Sequence, residues 1–101
     1  MAKNTKAVFI RCEPNQKHCK IIGALCLNII APVGYEMGYL IGTIKDRLIK
    51  NNANIDEQTS FYLFLNKKIM TSFSEKIGNY WKQNKEEDDI LYMEYSDQAP
   101  F

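Results

Sequence analysis

The apolar stripe in the middle of the chain limits its fold more than any other feature. Met37, Leu40, Ile41, Ile44 and Leu48 recur at the spacing of one helical face, which predicts a helix over Glu36–Lys50. Glu36 lies near its start, and Lys45, Arg47 and Lys50 lie near its end, as the partial charges of helix termini favour. Asn51-Asn52-Ala53-Asn54 then stops it, because Asn tolerates the left-handed backbone of a helix end. A helix with a single apolar face needs a second surface to bury that face against. The remaining segments have to supply a sheet.

Strand signals surround the helix. Ala7–Glu13 alternates Val8, Ile10 and Cys12 with Phe9 and Arg11, the period of a half-buried strand. Pro14-Asn15-Gln16 is turn chemistry, and a second strand is expected over His18–Ile30, antiparallel to the first. Gly23 within that run points to a bulge or a close backbone approach, and Pro32-Val33-Gly34 ends it. Phe61–Leu65 is apolar at every position, so a strand there is covered on both faces and lies inside the sheet. Asn66-Lys67-Lys68 is a turn, with Ile69-Met70 a short edge segment. Ser72 and Glu75 have capping-box spacing. They open a short helix running to Gln83, with Phe73, Ile77, Tyr80 and Trp81 on its apolar face. Lys85–Asp89 is a charged loop, and Ile90–Tyr95 is the last strand.

The order strand, strand, helix, strand, short helix, strand predicts the α+β class. The arrangement expected is a β-grasp: a mixed four-stranded sheet with central terminal strands, one main helix and one short helix. A chain of 101 residues with 46% hydrophobic content suffices for one core and is too short for two. The domain is expected over 7–95, after a flexible N-terminus at 1–6 and before a C-terminal tail at 96–101.

Composition narrows the function. A net charge of +1 provides no basic footprint, so no nucleic-acid partner and no direct membrane attraction are expected. Ala7–Ile10 is too brief for a signal-peptide core, and Ile21–Val33 is broken by Gly23, Asn28 and Pro32. A cytoplasmic protein is therefore expected. Cys12, Cys19 and Cys26 are odd in number and form no C-x-x-C pair. They read as reduced, buried strand residues, with no disulfide, metal or cofactor. His18 is the sole histidine and has no partner in a recognisable catalytic pattern, so no enzyme is expected. Glu86-Glu87-Asp88-Asp89 lacks the alternating ligands of a calcium loop and reads as solvated surface. Gly34, Gly38 and Gly42, spaced four apart, suggest close approach of the helix to the sheet.

The second half carries a resemblance. Phe61-Tyr62-Leu63-Phe64-Leu65-Asn66, Gly78-Asn79-Tyr80-Trp81 and Leu91–Phe101 resemble the autophagy ubiquitin-like modifiers, and Tyr39–Leu48 is similar to that family's main helix. Two branches compete. Ile77-Gly78-Asn79-Tyr80 and the ending Gln98-Ala99 before an aromatic resemble autophagy-related protein twelve, the first choice. Lys85–Asp89 and Tyr95-Ser96-Asp97 resemble autophagy-related protein eight, the branch of the GABA-receptor-associated protein and the second choice. That branch carries two helices before its first strand, whereas only Met1–Lys6 precede the strand here. It also has a Leu-Val-Pro entry to the main helix, where this chain reads Ala31-Pro32-Val33.

Each branch implies a different role. Both normally end in an aromatic residue and then glycine, and here Phe101 holds the aromatic position with nothing after it. The twelve-like resemblance therefore implies a noncovalent scaffold, since conjugation runs through a terminal glycine and no conjugation residue follows Phe101. It would bind an autophagy-related-protein-five-like partner and recruit the E2-like enzyme that lipidates the eight-like modifier. Membranes, autophagosomal or of another organelle, would be met only through that complex. Ile69, Tyr95, Gln98, Ala99, Pro100 and Phe101 are the expected partner-binding residues. The eight-like resemblance implies a modifier conjugated to phosphatidylethanolamine, seen here without its terminal glycine, that takes short receptor peptides along the edge of the second strand.

Overall fold

The structure, a computed structural model, describes residues 7–100. The expectations for Met1–Lys6 and for Phe101 lie outside the described residues. The chain runs β1 (Ala7–Pro14), β2 (Leu27–Pro32), α1 (Gly38–Lys50), β3 (Tyr62–Leu65), β4 (Lys68–Ile69), α2 (Ile77–Asn84) and β5 (Ile90–Ser96). The strands form one sheet in the order β2-β1-β5-β3-β4. β1 and β5 run parallel at its centre, and the other pairings are antiparallel. This is the ubiquitin-like α+β fold. The sheet has five strands where four were expected. The added one is β4, whose two residues pair with the end of β3 once the chain turns at Asn66 and Lys67. Both turn residues adopt positive φ, 54° and 65°.

Alternation sorts the sheet into two faces. Val8, Ile10, Cys12, Leu27, Ile29, Ala31, Leu91, Met93 and Tyr95 point inward and are buried. The helix stripe closes over them, with Met37, Leu40, Ile44 and Leu48 fully buried. Burying such side chains stabilises by roughly 1.5–3 kcal/mol each before conformational entropy is charged against it. On β3, the consecutive Leu63 and Phe64 are both buried. The strand is thus covered on both sides, as its apolar run indicates.

The expected second strand is the largest correction. Residues 15–26 form a loop, and the strand occupies only Leu27–Pro32. Asn15 organises the start of the loop, its side-chain oxygen accepting from the amides of Lys17 and His18 at 3.0 and 2.8 Å. Later the loop crosses the end of α1, where the Asn54 amide donates to the Ile22 carbonyl at 2.8 Å. Gly23 has φ of +87° and lies so near Ala53 that an added Cβ would stand 3.1 Å from its Cα. The close approach expected there is real, but it belongs to a loop. Cys19 and Cys26 sit in this loop, half-buried and exposed, and only Cys12 is a buried strand residue. Pro32 closes β2 as its last residue.

Both helices start later than expected. α1 begins at Gly38 and α2 at Ile77, and neither has a side-chain cap. The chain at 73–78 runs beside the chain at 33–38 instead. Met37 donates to the Glu75 carbonyl at 2.9 Å and Gly38 to the Phe73 carbonyl at 3.0 Å. Ile77 and Gly78 donate to the Tyr35 and Val33 carbonyls at 2.8 and 2.9 Å. Backbone carbonyls thus satisfy amides that a capping box would otherwise serve. Glu75 holds the Asn79 side chain and the Lys76 amide. Phe73 packs on the core from outside the helix.

The glycine spacing of α1 does not mark a sheet contact. An added Cβ at Gly34 or Gly42 would meet nothing within 4 Å, and one at Gly38 would meet Phe73 at 3.5 Å. The tight site is Gly78, where an added Cβ would lie 2.9 Å from the Val33 Cβ.

Candidate functional site

Among the described residues, those expected to bind a partner through the tail do not form one exposed patch. Tyr95 is fully buried. Its ring stacks on Phe61 at 5.6 Å. Its hydroxyl donates to the Leu25 carbonyl at 2.6 Å and accepts from the Leu25 amide at 3.0 Å. Burial pushes this phenol up to about 12. Tyr95 therefore pins the β1–β2 loop from inside the core. Ile69 lies half-buried on β4, separated from β5 by β3. Gln98 is exposed, while Ala99 and Pro100 are half-buried. The tail is tied down as it leaves β5: Ser96 exchanges hydrogen bonds with Gln98, and Asp97 accepts from the Lys20 amide at 2.8 Å.

A second surface has the features of a docking site. The described sheet ends on one side at β4 and on the other at β2. β4 has two residues and β2 has six, so β2 is the longer row of unpaired backbone groups. Pairing with β1 uses alternate residues of β2; the Asn28 and Pro32 carbonyls accept from Arg47 and from the Tyr35 amide, not from β1, so the set Asn28, Ile30 and Pro32 is the outward one. Such a row is a template for an added strand.

Apolar side chains flank this edge on both faces. On the outer face Phe9 and Ile30 are register partners, 60% and 59% exposed. Beside them Phe9, Asn28, Asp88 and Ile90 line a shallow groove. Tyr92 donates its hydroxyl to Asp88, which holds that carboxyl below the usual range and raises the phenol. A carboxylate thus marks one rim of the groove. On the helix side, Tyr35 and Tyr39 meet edge to face at 4.7 Å and remain exposed. Tyr39, Gly42, Thr43, Asp46 and Arg47 line a second groove there. Singly exposed apolar residues are ordinary, but a cluster along an open strand marks a contact surface. The alternation on β1 placed Phe9 outward in the sequence. The eight-like resemblance implies an edge at the second strand, and the pairing confirms the edge while confining it to Leu27–Pro32.

His18 stacks near Phe64 at 6.2 Å between ring centroids, with no catalytic partner among the described residues. No group of three or more His, Cys, Asp or Glu among the described residues is placed to hold a metal ion.

A β-grasp domain with an open edge strand and a tail leaving its central strand belongs to the ubiquitin-like class. The family model described as "Autophagy protein Atg8 ubiquitin like" matches residues 27–101. The chain belongs to that family. A solved structure of Trypanosoma brucei ATG8 has the same fold, with a TM-score of 0.74 and 22% identity over 92% of this chain and 74% of that one. The autophagy ubiquitin-like resemblance is thereby upheld. Its branch is corrected, because the match is to the eight-like family and not to the twelve-like first choice.

Proposed function

We propose that this chain acts as an eight-like modifier: joined to phosphatidylethanolamine through its C-terminal tail, it gathers proteins by taking short extended peptides along β2. Family membership supports the conjugation. The observation that carries the peptide reading is the open β2 edge beside the exposed Phe9–Ile30 pair. Neighbouring residues of an added strand point to opposite faces. Side chains at an odd separation would therefore enter the outer groove and the helix-side groove together. The E2-like enzyme of the lipidation system is the partner that would handle the tail, and the cytoplasmic face of an autophagosomal or organelle membrane is where the conjugate would reside. Ile69, Gln98, Ala99, Pro100 and Phe101 are proposed contacts for such enzymes. The five-like partner belonged to the twelve-like reading and has no place in this one.

The test is binding of a neutral, fluorescein-labelled octapeptide with Trp and Leu three positions apart. Saturable binding that Ile30→Asp abolishes is the expected result. Binding that survives that change, or none at all, sinks the peptide reading. Conjugation is tested by supplying the chain, carrying one glycine appended after Phe101, with E1- and E2-like enzymes and phosphatidylethanolamine vesicles. A lipid-bearing species detected by mass is expected, and its absence counts against a modifier.

A further inference from the structure

The open edge is not wholly free. Arg47 projects from the last turn of α1 and donates from Nη1 to the Asn28 carbonyl oxygen at 2.5 Å. That oxygen is one of the outward acceptors an added strand would use. Among the described residues Arg47 enters no ion pair. The neighbouring carboxylate on α1, Asp46, is taken by Lys50 at 3.1 Å. The guanidinium is thus held by the edge itself. A hydrogen bond from a charged donor is shorter and stronger than one between neutral groups. A charge set against an edge is also a recurrent means of keeping strands from pairing with other copies of themselves.

We propose that Arg47 is the gate of the β2 edge: it occupies the Asn28 carbonyl in the free protein and must swing away before a strand can add. The proposal rests on the reading of β2 as the docking edge and adds a residue that sets its selectivity. Removing the guanidinium leaves the Asn28 acceptor open to any extended segment, including β2 of a second copy. The wild-type chain accepts only strands whose contacts outweigh the displaced bond.

The test is Arg47→Ala, a half-buried helix position that Ala fills without backbone cost. Peptide affinity and sedimentation are measured on both proteins with the neutral octapeptide described above. The variant is expected to bind about 2- to 10-fold tighter, the range of one hydrogen bond that need not be broken. It is also expected to self-associate where the wild type stays monomeric, and Ile30→Pro in the variant should reverse this by removing an outward amide. If the wild type binds the peptide while the variant binds equally or more weakly and stays monomeric, the gate is overturned and the docking edge stands. If neither protein binds but the variant self-associates through β2, the gate stands and the peptide reading falls. If neither binds and both remain monomeric, both fall.

Discussion

Gly78 shows how much one missing atom decides. An added Cβ there would sit 2.9 Å from the Cβ of Val33 and 3.2 Å from its carbonyl oxygen. Neither neighbour can yield easily, because the Val33 carbonyl already accepts from the Gly78 amide. Gly78→Ala should therefore destabilise by about 1–3 kcal/mol, although Ala is the better helix former. Urea denaturation measures this, and adding Val33→Ala should restore part of the loss. An unchanged midpoint for Gly78→Ala would show that the two segments are looser than they look. The sequence singled out Gly78 only as part of a family-like motif. Its steric role needed Val33, which lies far away along the chain.

Among the elements, α1 was the most legible and β2 the least. The stripe from Met37 to Leu48 points inward as its spacing requires. Its glycine pattern misled, because spacing does not say which face a residue occupies. Gly42 lies on the outward face, where a Cβ meets nothing. Gly42→Ala should therefore stabilise the protein by about 0.5–1 kcal/mol through lower backbone entropy in the unfolded chain. A higher thermal midpoint is expected, and a lower one would place that face against something. The run from His18 to Ile30 read as a strand because it is apolar. Its first part is instead tied as a loop by Asn15, Tyr95, Asp97 and the end of α1. All but the Asn15 tie come from distant segments, so no local pattern could reveal them.

The whole molecule responds to alkali through its buried acids. Burial pushes the Cys12 thiol from an ordinary 9.0 up to about 12, slightly opposed by Arg47. Burial likewise raises the Tyr95 phenol from 10.0 to about 12. Above pH 9.0 the unfolded chain starts to release protons that the folded chain keeps. Stability is therefore intact below that pH and declines as the pH climbs toward about 12. Each group contributes a slope of roughly 1–2 kcal/mol per pH unit within its own window. Melting curves at stepped pH should show the decline, and Cys12→Ala should remove the part that begins first. A flat profile up to pH ~11 would mean that these groups titrate alike in both states.

The sequence by itself determined the α+β class, the β-grasp order of elements, the helix stripe, the central terminal strands and the autophagy ubiquitin-like kinship. These follow from periodicity and from motifs that are contiguous in the chain. Tertiary structure alone decided how little of the second run became the edge strand, how the helix starts were capped, and that Tyr95 serves the core. It also set Arg47 on the Asn28 carbonyl. The physical reason is the same in each case. Edge status, backbone capping and burial are properties of pairs of residues brought together by folding, and a pattern along one segment carries no record of its partner.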